Sequence, residues 1–527
     1  MSKINRRTFA GTIGAGALAA GPFATAATTS APSSGAVGET NSGKIRGVLH
    51  DRIHAFRGVP YGASTEGANR FLPPVKPQPW SGIRDALNLG QKSAFYGAGE
   101  IPEVAAMDLH EASGEDCLCL NVWTPALKTG KRPVMVWLHG GGFAVGSAGY
   151  IIYDGANLAR RQDVVVVGVN HRLNVLGYMY LAEMGGERFS RSSNVGMLDI
   201  VAALEWVRDN IANFGGDPGN VTIFGQSGGG AKVSTLLAMP QAKGLFHRAI
   251  FQSGAARGAP KDAATKAAQA LMAKAQVKTA EELQRLPLVK LFDAAKTIVG
   301  AGAGPVVDGS TLPSNPWDPA APEISATVPV MCGTVETEVT FFPTTQLEPI
   351  DDATLHNNIK TALRGASDAR VDELIGLYRK GRPGRANTDL WQIFSSDNGF
   401  RLQVLSQAEK KAQQGKGPVY MYYFNWNSPV RQGKLHSFHT LEIPFAFYNH
   451  EESKPMVGYG DDRYALADRV STAWATFART GNPNNKLLPN WAPFTMGERA
   501  TMILGNDCKL VNDPNKEERL ALAALRT

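Results

Sequence analysis

Cysteine, long apolar runs and clustered charge are all scarce in this sequence. Its 527 residues include four cysteines, Cys117, Cys119, Cys332 and Cys508, which are too few for a disulfide framework in a chain of this length. We expect free or buried thiols, and the sequence does not indicate which pair could form a bridge. No run after residue 26 approaches the ~18 apolar residues of a transmembrane helix, so no stable membrane span is predicted for the mature chain.

The net charge is small and dispersed. The formal charge is +7, and three of the positive charges, Lys3, Arg6 and Arg7, lie at the start of the chain. The other Lys and Arg residues are interleaved with Asp and Glu, whereas a nucleic-acid-binding surface carries them in a cluster. We therefore expect no nucleic acid as a partner. The sequence also contains no motif that requires a cofactor or a metal ion.

The first 26 residues have the features of an export signal. A basic start precedes a weakly apolar, Gly-rich middle and an A-x-A end at residues 24–26, which is the order of a secretory signal peptide. The Arg6-Arg7 pair resembles the twin-arginine type, which carries folded proteins across a bacterial inner membrane. We therefore expect an exported protein, either periplasmic or secreted. The predicted organisation is a twin-arginine-type signal peptide over 1–26, a flexible linker over 27–36 and one domain over 37–527.

Strand-like and helix-like segments alternate through the centre of the chain. Residues 197–214 carry apolar side chains at helical spacings, which predicts a helix. The alternation implies right-handed crossovers and a mostly parallel central sheet flanked by helices, so the predicted fold class is α/β. Short apolar runs at residues 134–138 and 164–169 predict strands that are buried on both faces. Two further strands are predicted at residues 221–224 and 247–252.

The pattern changes after residue 255. Residues 261–298 and 353–380 have helical spacing, and we expect them to form helical insertions above the sheet. Two later strands are predicted at residues 329–333 and Val419–Phe424. We expect the insertions, at about residues 258–305 and 340–400, to build the substrate pocket. Four aromatic side chains are candidates either for lining that pocket or for the core: Phe143, Phe341, Phe342 and Trp391.

The segment Gly225-Gln226-Ser227-Gly228-Gly229 matches the pattern G-x-S-x-G. The pattern alone carries a real false-positive risk. Here it lies between a predicted strand and a predicted helix, as the nucleophile elbow of an α/β hydrolase does. Glycines on both sides allow the sharp turn that exposes the serine hydroxyl above the sheet. The sequence therefore predicts Ser227 as a nucleophile.

A second glycine-rich segment, His139-Gly140-Gly141-Gly142, follows the predicted strand that ends at residue 138. This is the place of the oxyanion loop in an α/β hydrolase, whose backbone N–H groups stabilise the charge that develops on the substrate carbonyl oxygen. We predict the N–H groups of Gly141, Gly142 and Gly228 as donors. A phosphate-binding loop is disfavoured because the segment lacks a Lys-Ser/Thr ending and does not fit G-x-G-x-x-G.

A serine nucleophile needs a base, and the base needs an acid that orients it. In this fold the chain order is serine, acid, histidine. His436 and His439 both follow the predicted strand Val419–Phe424, where the base belongs. Spacing alone does not choose between these two histidines.

Three further segments carry ordered motifs, at residues 56–61, 115–122 and 213–227. Together these motifs resemble those of the type-B carboxylesterase family, which also contains the cholinesterases. The similarity extends from about Gly38 to the C terminus, and it implies an α/β-hydrolase fold and a serine carboxylesterase that hydrolyses esters through an acyl-enzyme.

The resemblance also implies the roles of single residues. The acid of the family is a Glu a few residues past a strand that ends in Gly, and Glu338 has that position, with Glu336 as the second candidate. The base of the family begins a His-x-x-Glu-Ile-Pro-Phe motif, which fits His439 and not His436. The implied triad is Ser227, Glu338 and His439, in which Glu338 orients the imidazole and His439 moves the proton.

Two pairs of charged residues resemble the buried ion pairs of the family. They are Arg57 with Glu115, and Arg172 with Asp199. We expect both pairs to belong to the scaffold, because breaking such a pair typically costs about 3–5 kcal/mol.

Departures from the family limit the expected substrates. The residue before the serine is commonly Glu in the family, and here it is Gln226, so a negative charge is missing. Residues 95–114 contain no Trp, whereas cholinesterases use one there to stack on choline. We therefore expect small or medium neutral esters as substrates, and the oligomeric state is not predictable.

Three other functions are compatible with parts of the sequence. Amide or carbamate hydrolysis would use the same triad. A non-catalytic binding protein, like the adhesion relatives of the family, is disfavoured because Ser227, Glu338 and His439 are all present. A metallohydrolase that uses His436 and His439 is disfavoured because this H-x-x-H pair lacks a third ligand at a fitting spacing.

Overall fold

The computed structural model describes residues 33–96, 101–300 and 302–525, and the signal peptide predicted over 1–26 lies outside them. The strands of the described residues, numbered in chain order, are β1 (Ser33–Thr40), β2 (Gly43–His50), β3 (Ile53–Pro60), β4 (Ile83–Asp85), β5 (Lys92–Ser93), β6 (Ser113–Gly114), β7 (Cys119–Thr124), β8 (Arg132–Leu138), β9 (Val165–Val169), β10 (Gly216–Gln226), β11 (Arg248–Gln252), β12 (Val330–Val335), β13 (Val419–Phe424), β14 (Ala500–Leu504) and β15 (Lys509–Asn512).

The α-helices of the same residues are α1 (Pro102–Ala105), α2 (Ala156–Gln162), α3 (Asn174–Gly177), α4 (Ala182–Gly185), α5 (Val195–Asn210), α6 (Gly228–Leu236), α7 (Lys261–Ala275), α8 (Ala280–Arg285), α9 (Leu288–Ala295), α10 (Asp352–Ala362), α11 (Asp368–Gly381), α12 (Asn387–Ser396), α13 (Leu402–Gln414), α14 (Ile443–Ala446), α15 (Lys454–Val457), α16 (Asp462–Thr480) and α17 (Lys516–Ala524). None of these helices is long and apolar enough to cross a membrane.

The main sheet has a parallel centre with antiparallel edges. The central strands run in the order β9-β8-β10-β11-β12-β13-β14, and each pairs with its neighbour in parallel. Antiparallel strands continue the sheet beyond β9 and beyond β14. Helices lie in the connections between the central strands, as parallel neighbours require. The predicted α/β class and mostly parallel sheet are therefore confirmed.

The central strands are buried on both faces because successive side chains of a strand point to opposite sides. On β8, Val134 and Val136 belong to one apolar core with Leu204 of α5. The side chain of Trp137, the next residue along the strand, belongs to the opposite core with Trp474 of α16. An apolar run without alternation is the pattern that such a position produces, which is why these strands could be predicted.

The predicted boundaries differ from the observed ones where backbone pairing extends an element. The strand predicted at 221–224 is the end of β10, which begins at Gly216. The linker predicted over 27–36 ends earlier, because Ser33 and Ser34 already pair with Leu49 and Val48 of β2. Strand β1 could not be predicted from apolar residues, because its first residues are rich in Ser and Gly and it is held by backbone pairing.

Both predicted insertions are helical and have small cores of their own. Helices α7, α8 and α9 bury apolar residues against the segment that contains α3 and α4. Helices α10, α11 and α12 form a second small core with α17. The four cysteines are free thiols, and three of them are buried.

The buried ion pair predicted between Arg172 and Asp199 is confirmed. The guanidinium Nη2 lies 2.6 Å from Asp199 Oδ1, Nε donates to Oδ2 at 2.8 Å, and the backbone N–H of Arg172 donates to Oδ2 at 3.0 Å. The pair has almost no solvent exposure. It ties the loop after β9 to the first turns of α5.

The pair predicted between Arg57 and Glu115 is wrong. Glu115 binds Arg70 instead, with Arg70 Nε donating to Oε1 at 2.7 Å. Arg57 lies 3.3 Å from Asp154, and both side chains are partly exposed. The backbone carbonyl of Glu115 accepts the N–H and the hydroxyl of Thr65, which brings the loop that contains Arg70, rather than Arg57, to this carboxylate.

We expect the two observed pairs to differ in their contribution to stability. Asp199→Asn should lower the free energy of unfolding by about 3–5 kcal/mol, because it leaves the Arg172 guanidinium buried without its counter-charge. Asp154→Asn, the matched control at the partly exposed Arg57 pair, should cost less than about 1 kcal/mol. Denaturant unfolding measures both, and equal losses would contradict the argument.

Candidate active site

The predicted site residues follow the carboxyl ends of neighbouring parallel strands. The glycine-rich loop follows β8, Ser227 follows β10, Glu338 lies in a 3₁₀ turn (Glu338–Phe341) after β12, and His439 lies in the loop after β13. Because parallel strands end at the same edge of a sheet, these segments meet there.

Ser227 has a strained backbone at the junction of β10 and α6. Its φ is 58° and its ψ is −125°, a conformation that costs a non-glycine residue of order 1–3 kcal/mol. Two hydrogen bonds fix the turn: the N–H of Ser227 donates to the Gln252 carbonyl at 2.8 Å, and its carbonyl accepts the N–H of Ala231 at 2.9 Å. The residue remains partly exposed, as the predicted nucleophile position requires.

The glycine-rich loop lies directly against this turn. A Cβ on Gly140 would be 3.5 Å from the Ser227 Cβ, and a Cβ on Gly228 would overlap the carbonyl of Gly142. Gly141 and Gly142 have φ values of 81° and 61°, which glycine adopts without strain. Among the described residues, none accepts a backbone hydrogen bond from the N–H of Gly141, Gly142 or Gly228. These three donors are therefore available to a ligand.

His439 and Glu338 form a buried hydrogen-bonded pair. The Nδ1 atom of the imidazole bonds to Glu338 Oε2, and the N–H of Val335 donates to Oε1 at 3.0 Å, so both carboxylate oxygens are held. Gln226, the neighbour of Ser227, places its amide nitrogen 3.2 Å from each nitrogen of the ring. The structure thus brings the predicted acid, the predicted base and the turn of Ser227 together.

The second candidates for acid and base have other partners. His436 Nε2 lies 3.1 Å from Asp389 Oδ1. Glu336 accepts from Arg385 at 3.3 Å. His436 and Glu336 therefore belong to a separate charged cluster with α12, away from the Glu338–His439 pair.

A second carboxyl group, that of Glu442, is buried beside the Glu338–His439 pair. Its Oε1 accepts from the side-chain amide of Gln252 at 3.2 Å, and the carbonyl oxygen of that amide accepts from Trp474 Nε1 at 3.0 Å. Burial, and next the negative charge of Glu338, raise the pKa of Glu442 to about 7. The His-x-x-Glu motif contains Glu442, but nothing in the motif indicates that the pKa of this residue is raised.

Aromatic rings surround the imidazole of His439. The ring centroids of Phe341, Phe342 and Phe400 lie 5.4, 6.1 and 4.9 Å from it. Phe400 was not predicted. It belongs to a π-helical segment, Asp397–Arg401, and such segments are frequent at functional sites. A lone Phe within a helical insertion gives no signal of this contact.

The other two aromatic candidates lie elsewhere. Phe143 packs edge-on against Tyr178 at 5.1 Å. Trp391 stacks on Phe394 at 5.8 Å, at the small core of the second insertion. The apolar wall beside His439 is therefore formed by the segments after β12 and α12.

Comparison with known proteins places this chain in a family. The chain matches the model of the Carboxylesterase family over residues 34–523. It is 33% identical over 497 residues to para-nitrobenzyl esterase of Bacillus subtilis (strain 168), which covers 92% of this chain and 97% of that protein.

Solved structures agree with this match. A carboxylesterase of Geobacillus stearothermophilus superposes with a TM-score of 0.79 at 34% identity, covering 92% of this chain and 99% of the other. An esterase from anaerobic Clostridium hathewayi, reported to hydrolyse aliphatic aromatic polyesters, superposes with a TM-score of 0.80 at 34% identity, covering 93% and 98% of the two chains. Family match, relatives and architecture coincide along most of the sequence, and so the chain belongs to the carboxylesterase family and is a carboxylic ester hydrolase of the α/β-hydrolase fold.

Proposed function

We propose that this enzyme hydrolyses neutral carboxylic esters through an acyl-enzyme formed on Ser227, with His439 as the base and Glu338 as the orienting acid. The observation that carries the proposal is the buried Glu338–His439 hydrogen bond beside the strained turn of Ser227. With Nδ1 engaged by the carboxylate, Nε2 is the ring nitrogen left to accept the serine proton.

The reaction follows from these positions. The Ser227 hydroxyl oxygen attacks the ester carbonyl carbon while its proton passes to His439, and the Glu338 carboxylate stabilises the imidazolium. The N–H groups of Gly141, Gly142 and Gly228 would donate to the tetrahedral oxyanion. Collapse of this intermediate breaks the ester C–O bond, and His439 returns the proton to the leaving alcohol. Water then repeats the sequence and releases the acid.

Neutral substrates are favoured by the walls of the site. The rings of Phe341, Phe342 and Phe400 offer apolar contact beside the imidazole. Gln226 supplies an amide where a carboxylate would attract a cation. Para-nitrobenzyl esterase is among the similar proteins, so we propose aryl and benzyl esters of short acids as the first substrates to test.

Paired substitutions test the proposed triad. Ser227→Ala and His439→Ala should each lower kcat by about 10⁴-fold or more, because nucleophile and base act as a unit. His436→Ala and Glu336→Gln are matched controls at the second candidates, and both should remain close to the wild type. Hydrolysis of p-nitrophenyl acetate and butyrate measures all four. Full activity of the Ser227 variant, or a large loss in either control, would overturn the assignment.

The raised pKa of Glu442 predicts that the stability of the folded protein depends on pH. The ordinary pKa of a Glu side chain is about 4.5, and that of Glu442 in the folded protein is about 7, so the folded state binds the additional proton between these values. Stability from this group is present below about pH 4.5 and is lost as the pH rises to about 7.

Glu442→Gln should remove this dependence, because the amide keeps an acceptor for Gln252 and does not ionise. The difference between the thermal midpoint of the variant and that of the wild type should increase from about pH 4.5 to about pH 7 in favour of the variant. Above about pH 7 this difference should stay constant. Scanning calorimetry across that range measures it. The exposed Glu187→Gln serves as control, and a difference that does not change with pH would refute the prediction.

We also propose export by the twin-arginine route, on the sequence of residues 1–26 alone. When the full chain is expressed in a bacterium, activity should be recovered outside the cytoplasm, with a new N terminus near Ala26. Replacing both Arg6 and Arg7 by Lys should retain the activity in the cytoplasm. Cytoplasmic retention of the unaltered chain would count against export.

A further inference from the structure

Lys232 is a buried lysine directly behind the glycine-rich loop. It lies in the middle of α6, the helix that begins after Ser227, and its exposure is 0%. Its Nζ donates to the backbone carbonyl of His139 at 3.0 Å and lies 5.5 Å from the centre of the Phe143 ring. His139 and Phe143 are the two residues that flank Gly140–Gly141–Gly142. One side chain therefore connects the helix of the proposed nucleophile to both ends of the loop with the proposed oxyanion donors.

In the described ranges 33–96, 101–300 and 302–525, no carboxylate forms an ion pair with Lys232 or raises its pKa. The neighbouring basic groups are the imidazoles of His139 and His171, which stack at 4.7 Å. Burial lowers the pKa of Lys232 to about 7, and burial, followed by the charge of Lys232, holds the pKa values of both imidazoles low.

Such a position is costly for stability. A buried charge without a counter-ion loses its hydration, and the face of one aromatic ring replaces only part of it. A neutral side chain would fill the same helix position without that cost. Ionisable groups with strongly displaced pKa values occur often at functional sites.

We propose that Lys232 is a positioning residue for the oxyanion hole. By holding the His139 carbonyl, it fixes the direction in which the following peptide units present their N–H groups, and its contact with Phe143 fixes the other end of the loop. The proposal rests on the proposed function, because it requires that the loop binds the developing oxyanion. Lys232 acts through the loop and takes no part in proton transfer.

Lys411 provides a matched control. It is also a buried lysine, its pKa is lowered by burial to about 8, and its Nζ binds backbone carbonyls, those of Ser325 at 2.8 Å and Ala326 at 2.6 Å. Lys411 lies on α13 and does not contact the glycine-rich loop. Lys232→Met and Lys411→Met therefore remove the same group from two buried positions, only one of which adjoins the site.

The test compares ground-state and transition-state binding in these variants. Lys232→Met should lower kcat about tenfold to a hundredfold with little change in KM, because loop geometry matters most when charge develops on the carbonyl oxygen. It should also weaken inhibition by an aryl trifluoromethyl ketone by a similar factor. Lys411→Met should change neither quantity. Should Lys232→Met not fold, Lys232→Gln, which retains a donor group on a shorter side chain, is measured in its place, with a smaller loss expected.

Labelling of Ser227 distinguishes a failure of the proposed role of Lys232 from a failure of the proposed triad. A fluorescent fluorophosphonate gives the concentration of reactive serine in each sample, and kcat is normalised to it. Absence of labelling at Ser227 in the wild type would count against the triad itself. Normal labelling with an unchanged kcat in Lys232→Met would overturn the role of Lys232 alone, as would an equal loss in Lys411→Met.

Discussion

The register of β10, β11 and β12 determines where the parts of the site lie. Gln226 at the end of β10 and Gly333 of β12 both pair with Gln252 at the end of β11. The carbonyl of Gln252 also holds the N–H of Ser227, and its side chain binds Glu442 and Trp474. A shift of one residue in this pairing would turn the side chains to the other face of the sheet. The turn of the proposed nucleophile and the strand before the proposed acid are thus both aligned by Gln252 on the middle strand.

Sequence reasoning succeeded where a physical pattern is local. Strands that are buried on both faces have apolar runs without alternation in their sequence. The sharp turn that holds the serine requires glycines around it, so it gives the pattern G-x-S-x-G between a strand and a helix. The family resemblance then chose Glu338 over Glu336 and His439 over His436. The observed partners of these four residues are consistent with that choice.

Sequence reasoning failed where the outcome depends on which loop reaches which side chain. The partner of Glu115 is set by hydrogen bonds to Thr65, which no periodicity encodes. Phe400 reaches His439 only because a π-helical segment follows α12. The sequence around Lys232, in a helix that begins with three glycines, gives no indication that this lysine is buried. Its burial depends on how the loop after β8 packs against α6.

The insertions described above have small apolar cores that are separate from the two cores of the sheet. A substitution inside one of these small cores changes the packing of its own helices first, while the paired strands keep their register. The shape of each insertion can therefore be altered from within its own core, while the sheet edge that carries the proposed site keeps its geometry.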